Sequence, residues 1–241
     1  MIPTLTPALV GVLWLGAFLG ALAAGGAGFA FALTASSVWL HVLDPVPTTA
    51  LVVACGTLLH LTLVWPIRRS IQPARLWPFL AGCLVGLPLG VLLLTRADAS
   101  GLKVALGLFL CLYGAYALAT PRLPRIKGGG RAADAAAGGV LGGLGGYSGV
   151  LPTIWTQLRA WPKDIARGVY QPFILVAHTA TLALVGSIAL DPRGWLIFAL
   201  ALPPLFAGAW IGWRLYGHLD ERRFRQVLAL LLVASGLTLV I

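Results

Sequence analysis

The sequence Gly142-Gly143-Leu144-Gly145-Gly146-Tyr147-Ser148-Gly149 interrupts the apolar region 132–160, and the cluster Gly25-Gly26-Ala27-Gly28-Phe29 interrupts the apolar region 8–43. Sliding the chain by 118 residues aligns the two clusters without a gap. Glycine breaks at corresponding positions of two halves are typical of duplicated membrane folds with discontinuous helices. The pattern therefore predicts an internal duplication with one broken helix in each half.

Rare residues support this duplication because they coincide at the same offset. His60 aligns with His178 and Trp77 with Trp195, in a chain that has only 4 His and 9 Trp. Such matches carry more weight than Leu or Ala matches in an apolar sequence. The predicted organisation is a first repeat (1–120), a basic cytoplasmic connector (121–134) and a second repeat (135–241).

The composition excludes a soluble globular protein, a disordered chain and a coiled coil. Apolar residues make up 59% of the chain and charged residues 10%, against about 25% charged residues in soluble domains. Because a membrane-spanning helix needs about 20 apolar residues, the chain predicts a multi-pass membrane protein. Clear spans are predicted near 48–66, 74–95, 102–120, 165–190, 194–215 and 223–241.

The net charge of +10 comes from short basic clusters between the apolar runs, which favours a role in membrane orientation over nucleic-acid binding. The loop 159–167 contains Arg159, Lys163 and Arg167, whereas its counterpart 41–48 contains no Lys or Arg. Other pairs of corresponding loops alternate in the same way. Equivalent loops therefore prefer opposite sides of the membrane, which predicts inverted repeats.

Inversion requires an odd number of crossings in each half, so each glycine-broken region must return to the side from which it came. The arms of the second region, 132–145 and 149–160, are also short, since 14 helical residues reach only ~21 Å. The predicted fold is all-α: two inverted repeats, each with a re-entrant hairpin and three transmembrane helices. The hairpin tips should meet near the midplane. We expect location in the cytoplasmic (inner) membrane, with both termini on the non-cytoplasmic side.

The glycine tips are candidate anion sites, because a helix that starts after a break presents unpaired N–H groups and a positive dipole end. The alternative is that these glycines only allow close helix packing. Ser, Thr, Tyr and Gln side chains nearby supply neutral donors, and Tyr170-Gln171 lies early in the next span. The candidate substrate-binding residues are Gly25, Gly26, Gly28, Phe29, Ser36, Thr57, Gly145, Gly146, Tyr147, Ser148, Thr153, Trp155, Gln157 and Gln171. A single Ser or Thr among them often bonds its own helix instead.

His60 and His178 lie mid-span at equivalent positions and are the candidates for proton coupling. The alternative is a neutral histidine that forms a hydrogen bond between helices. No Asp or Glu lies clearly mid-span, and the three cysteines show no metal-binding spacing. We therefore predict no metal, no cofactor and no catalytic residue.

The run Gly142–Trp155 resembles the second-half motif of the TauE/SafE family of sulfite and organosulfur anion exporters, and Gly25–Phe29 resembles that family's opening glycine motif. Gly86-Leu87-Pro88-Leu89-Gly90 is also similar. Ala27 departs from the usual form, in which a further glycine is common. The resemblance covers essentially the whole chain and implies a secondary carrier for small anions.

The sequence thus predicts a transporter of a small anion, sulfite or an organosulfur acid such as a sulfonate, with proton coupling as an option. An anion channel and a carrier for small carboxylates are the alternatives. An enzyme is disfavoured because no nucleophile–base or metal constellation is present. The expected partners are a small anionic substrate and the lipid bilayer, without nucleic acid; monomer and homodimer both stay open.

Overall fold

The computed structural model describes residues 5–96, 98–120, 146–159, 161–189 and 191–216, with individual helical positions between 223 and 240. Every regular element in these residues is helical, as expected. The helices are α1 (Pro7–Ala27), α2 (Phe31–Trp39), α3 (Pro45–Ile67), α4 (Pro73–Arg96), α5 (Ala99–Ala119), α6 (Val150–Leu158), α7 (Lys163–Ala189) and α8 (Pro192–Tyr216). Single 3-10 turns cover Arg68–Ser70 and Tyr147–Gly149.

Five segments of the described chain are long and apolar enough to cross a membrane: Pro7–Ala27, Pro45–Ser70, Pro73–Arg96, Asp164–Gly186 and Pro192–Leu215. The last four coincide with predicted spans, which confirms a multi-pass membrane protein. In α5 the apolar part is shorter, Gly107–Ala119. The predicted connector 121–134 and the arm 132–145 lie outside the described residues.

The first hairpin is formed by α1 and α2, which run antiparallel on either side of Gly28. The indole Nε1 of Trp39 donates a hydrogen bond to the carbonyl of Leu13 at 3.1 Å, and its ring occupies the space beside Gly16. Thus α2 returns along α1, as a hairpin requires.

The two arms of this hairpin differ in length. With 21 residues, α1 extends ~31 Å, whereas the 9 residues of α2 extend ~14 Å. The expected re-entrant hairpin therefore has one arm long enough to span the membrane and only one short arm. The reason is that α2 does not begin until Phe31 and already ends at Trp39, so the residues after the break form the shorter arm.

The most extensive contact between described helices joins α1 to α8, and glycines allow it. A methyl group at Gly25 would lie 2.6 Å from the carbonyl oxygen of Ala209, and one at Gly208 would collide with the carbonyl of Phe18. Such close backbone approach is the usual function of small residues between membrane helices. For Gly25, the packing explanation is therefore sufficient.

Helices α3 and α7 cross the centre of the molecule antiparallel to each other. Gly56 packs against His178, while Gly168, nearer the start of α7, packs against the carbonyl of Ser70 beyond the end of α3. Their first residues, Pro45 and Lys163, are 118 positions apart. This spacing agrees with the predicted duplication, and the orientation of the two halves in the membrane stays a prediction.

Candidate functional site

The two glycine breaks share the same backbone conformation. Gly28 has φ 84° and Gly146 has φ 74°, both in the left-handed region that L side chains rarely adopt. The N–H of Gly28 donates to the carbonyl of Ala24 at 2.6 Å and ends α1. A short helix follows each break: α2 after Gly28, and α6, by way of one 3-10 turn, after Gly146. The predicted helix starts are therefore present at both breaks.

Two polar side chains of α7 face the Gly28 break. The hydroxyl of Tyr170 donates to the carbonyl of Ala27 at 2.8 Å, and the Tyr170 ring meets the edge of Phe29 with centroids 6.1 Å apart. A methyl group at Gly28 would lie 2.7 Å from Nε2 of Gln171. The Gln171 side chain is 0% exposed, yet within the described part of the chain neither its nitrogen nor its oxygen has a hydrogen-bond partner. Because buried polar atoms are normally paired, this amide calls for a partner such as a ligand.

The Gly146 break faces different chemistry. Its nearest side chains are Val52 and Val53, at positions 118 residues before Tyr170 and Gln171. Its carbonyl accepts a hydrogen bond from Nε2 of His178 at 2.7 Å. The second break is therefore apolar on its α3 side and is held in place by a histidine.

His60 and His178 lie side by side, with ring centroids 5.4 Å apart and planes at 86°. Nδ1 of His60 lies 2.8 Å from the carbonyl oxygen of Gly56. A carbonyl only accepts, so His60 must carry its proton on Nδ1 and His178 on Nε2. The other nitrogens, His60 Nε2 and His178 Nδ1, are buried and have no hydrogen-bond partner among the residues that the structure describes. Within the described residues, no group of three His, Cys, Asp or Glu side chains could hold a metal ion.

Arg167 is where the structure departs most from the sequence analysis, which grouped it with the loop charges. It lies in the second turn of α7 and is only 2% exposed. Its Nη2 donates to the carbonyl of Gly25 at 3.1 Å, and its guanidinium stands 5.2 Å from the ring centre of Trp213. A cation at this place stabilises the C-terminal end of α1, where the helix dipole is negative. The sequence did contain a signal for this location, because Arg167 lies one helical turn before Tyr170 on the same helix.

The two breaks also lie next to each other, as the meeting of the tips required. A methyl group at Gly149 would lie 3.2 Å from Cβ of Phe29. The side chain of Tyr147 and that of Ser36 in α2 are both buried. Among the described residues, four buried hydroxyls have no hydrogen-bond partner: those of Thr34 and Ser36 in α2, Ser148 in the 3-10 turn and Thr153 in α6.

Other predicted site residues have local explanations. Thr57 is half-buried and donates to the carbonyl of Val53 at 2.7 Å, within its own helix. Gly26 is buried in the last turn of α1, and Trp155 is buried with the guanidinium of Arg159 4.6 Å from its ring centre. Gly145 and the side chain of Gln157 lie outside what the structure describes.

A multi-pass helical protein in which two left-handed glycines each precede a short helix, with polar groups buried beside them, has the architecture of a secondary transporter. Residues 12–239 match the family model described as Sulfite exporter TauE/SafE. The chain therefore belongs to the TauE/SafE family of membrane transporters. Comparisons with curated proteins and with solved structures gave no match.

Proposed function

We propose that this protein is a secondary transporter that moves a small anion, sulfite or an organosulfur acid, across the cytoplasmic membrane. The observation that carries the proposal is the fully buried amide of Gln171 at the Gly28 break, which has no partner among the described residues. An amide of this kind suits a transported ligand because it binds by hydrogen bonds and adds no charge to be desolvated.

The surroundings of the break favour a negatively charged ligand. Short α2 starts at Phe31, three residues after Gly28, so the N–H groups of its first turn and the positive end of its dipole lie close to the break. Arg167 places a buried positive charge next to the same break, at Gly25. Ser148 and Thr34 add hydroxyl groups that can donate to anionic oxygens. The ligand would bind through these hydrogen bonds and the helix end, and it need not form a direct salt bridge with Arg167.

The orientation that we propose has inverted halves, with both termini outside the cytoplasm. Its support is the alternation of basic loops between corresponding positions and the antiparallel contact of α3 with α7. In this arrangement the two breaks face each other across a pseudo-two-fold axis near His60 and His178. Rocking of one half against the other would then expose the site to each side in turn.

Proton coupling is assigned to the histidine pair. Each ring has one buried nitrogen without a partner, and a proton bound there would convert that nitrogen into a donor. With ring centroids 5.4 Å apart, two positive charges would repel each other strongly in this buried place. The pair therefore takes up one proton beyond the two that the neutral rings already carry.

A carrier for small carboxylates is the second candidate, because amide and hydroxyl groups bind carboxylate and sulfonate oxygens alike. The test is uptake of radiolabelled sulfite into proteoliposomes that contain the purified full chain, with and without a pH gradient, with acetate as the carboxylate competitor. Saturable sulfite uptake supports the proposal, and stimulation by the gradient supports coupling. Current without saturation would indicate a channel, and absence of saturable flux of every sulfur oxyanion would refute the carrier.

The role of the histidines needs a matched control, which the chain supplies in the exposed His41. His60→Asn should keep sulfite binding but lose stimulation by the pH gradient, whereas His41→Asn should behave like the wild type. Full stimulation in His60→Asn and in His178→Asn would contradict a coupling role for the pair.

A further inference from the structure

The unpartnered amide of Gln171 restricts which kind of anion can bind at the Gly28 break. A primary amide carries one acceptor, Oε1, and one donor group, Nε2, and in Gln171 both are buried and unpaired within the described residues. If the amide is rotated so that Oε1 and Nε2 exchange places, the site still has one unpaired acceptor and one unpaired donor group. A ligand with acceptor oxygens only would pair with Nε2 but would set its negative charge against Oε1.

The neighbouring groups reinforce the need for a ligand that donates. Tyr170 already donates its hydroxyl proton to Ala27. His60 uses its Nδ1 proton on Gly56, so its Nε2, which has no partner among the described residues, is an acceptor in the neutral ring. The charged group on this side is Arg167, which lies one turn before Gln171 on α7 and donates to Gly25.

We infer that Gln171 binds an oxyacid monoanion that retains an O–H group, through two parallel hydrogen bonds. The ligand's O–H donates to Oε1, while Nε2 donates to a neighbouring ligand oxygen. This inference rests on the proposed function and narrows its substrate to hydrogen sulfite, or to a sulfonate that carries a hydroxyl, over the sulfite dianion. At the position 118 residues earlier stands Val53, so the residue equivalent to Gln171 beside the Gly146 break has no amide.

The first experiment separates the two ionic forms of sulfite in proteoliposomes that have the same pH inside and outside. At two pH values, total sulfite is adjusted so that hydrogen sulfite is equal while the dianion differs by about 10-fold. We expect initial uptake rates of the wild type to agree within about twofold. Rates that follow the dianion would overturn the inference, although saturable uptake would still support the proposed function.

The second experiment uses competitors of equal charge and carbon number. Isethionate, which has a hydroxyl, should inhibit sulfite uptake at least about 10-fold better than ethanesulfonate, the loss expected when a buried amide keeps an unpaired atom. In Gln171→Met, which keeps the volume without the amide, this ratio should fall to about one. Val53→Ala, a change at the corresponding valine, should keep the wild-type ratio.

The outcomes of the two proposals are distinct. Equal inhibition by both competitors, in a wild type that takes up sulfite saturably, would refute the role of the O–H group alone. An unchanged ratio in Gln171→Met would assign the selectivity to another residue. If no sulfur oxyanion is transported, both the inference and the proposed function fail.

Discussion

The two glycine breaks have nearly the same backbone and opposite surroundings. Gly28 and Gly146 are both left-handed, and each precedes a short helix. Gly28, however, faces Gln171 and Tyr170 of α7, whereas Gly146 faces two valines of α3. The two breaks therefore share a backbone conformation but differ in the polarity of the side chains that face them. In our interpretation one break binds the ligand and the other supports it.

The largest effect is expected from a side chain at Gly28. Gly28→Ala adds a Cβ in left-handed backbone, which costs about 1–2 kcal/mol, and displaces the Gln171 amide 2.7 Å away. A misplaced binding group of this kind lowers transport by roughly 100-fold. Uptake of radiolabelled sulfite per folded molecule is the measurement.

Gly146→Ala is the control at the other break, with similar backbone strain but valines as neighbours. We expect a comparable loss of thermal stability in detergent, with uptake per folded molecule close to that of the wild type. Equal loss of uptake in both variants would show that the two breaks contribute equally to binding.

The next effect concerns the charge beside the first break. Arg167→Met removes a charge-assisted hydrogen bond to Gly25 and the contact with Trp213, so the free energy of unfolding should fall by about 2–4 kcal/mol. The matched variant is Thr49→Val, at the position 118 residues earlier, which should cost about 1 kcal/mol. Thermal melting of both purified variants in detergent compares their stabilities. Similar losses of stability would show that Arg167 contributes no more to the stability of the fold than Thr49 does.

A smaller difference should separate the two histidines. His178→Asn cannot reach the carbonyl of Gly146 and leaves it unpaired, at a cost of about 1–3 kcal/mol. His60→Asn should cost less, because the Asn amide nitrogen replaces Nδ1 as the donor to Gly56. Melting temperatures give the order, and a more stable His178→Asn than His60→Asn would contradict it.

The smallest effect is expected at Thr57, a predicted binding residue that the structure shows bonded to its own helix. Thr57→Val removes only the hydrogen bond to Val53 and should change the free energy of unfolding by about 0.5 kcal/mol or less. Sulfite uptake should be unchanged. A clear loss of uptake would return Thr57 to the binding site.

Much of the fold follows from the sequence because apolar length and glycine breaks are local properties. The spans of α3, α4, α7 and α8 could be predicted within a few residues, as could the helix starts after both breaks. The length of α1 was harder to predict, because a cluster of several glycines does not show at which residue the helix ends. Tyr170-Gln171 drew attention through its polarity, but which glycine it faces depends on how α7 packs.

By itself, the sequence determined that this chain spans the membrane repeatedly, and it predicts two halves that correspond at an offset of 118 residues with a glycine cluster in each. Those properties depend on composition and on neighbours along the chain. Only the tertiary structure decided that Arg167 is buried against Gly25, that His60 meets His178, and that Gln171 and not a valine faces Gly28. These contacts join segments more than 100 residues apart, and their partners are chosen by the antiparallel packing of α3 with α7 and of α1 with α8.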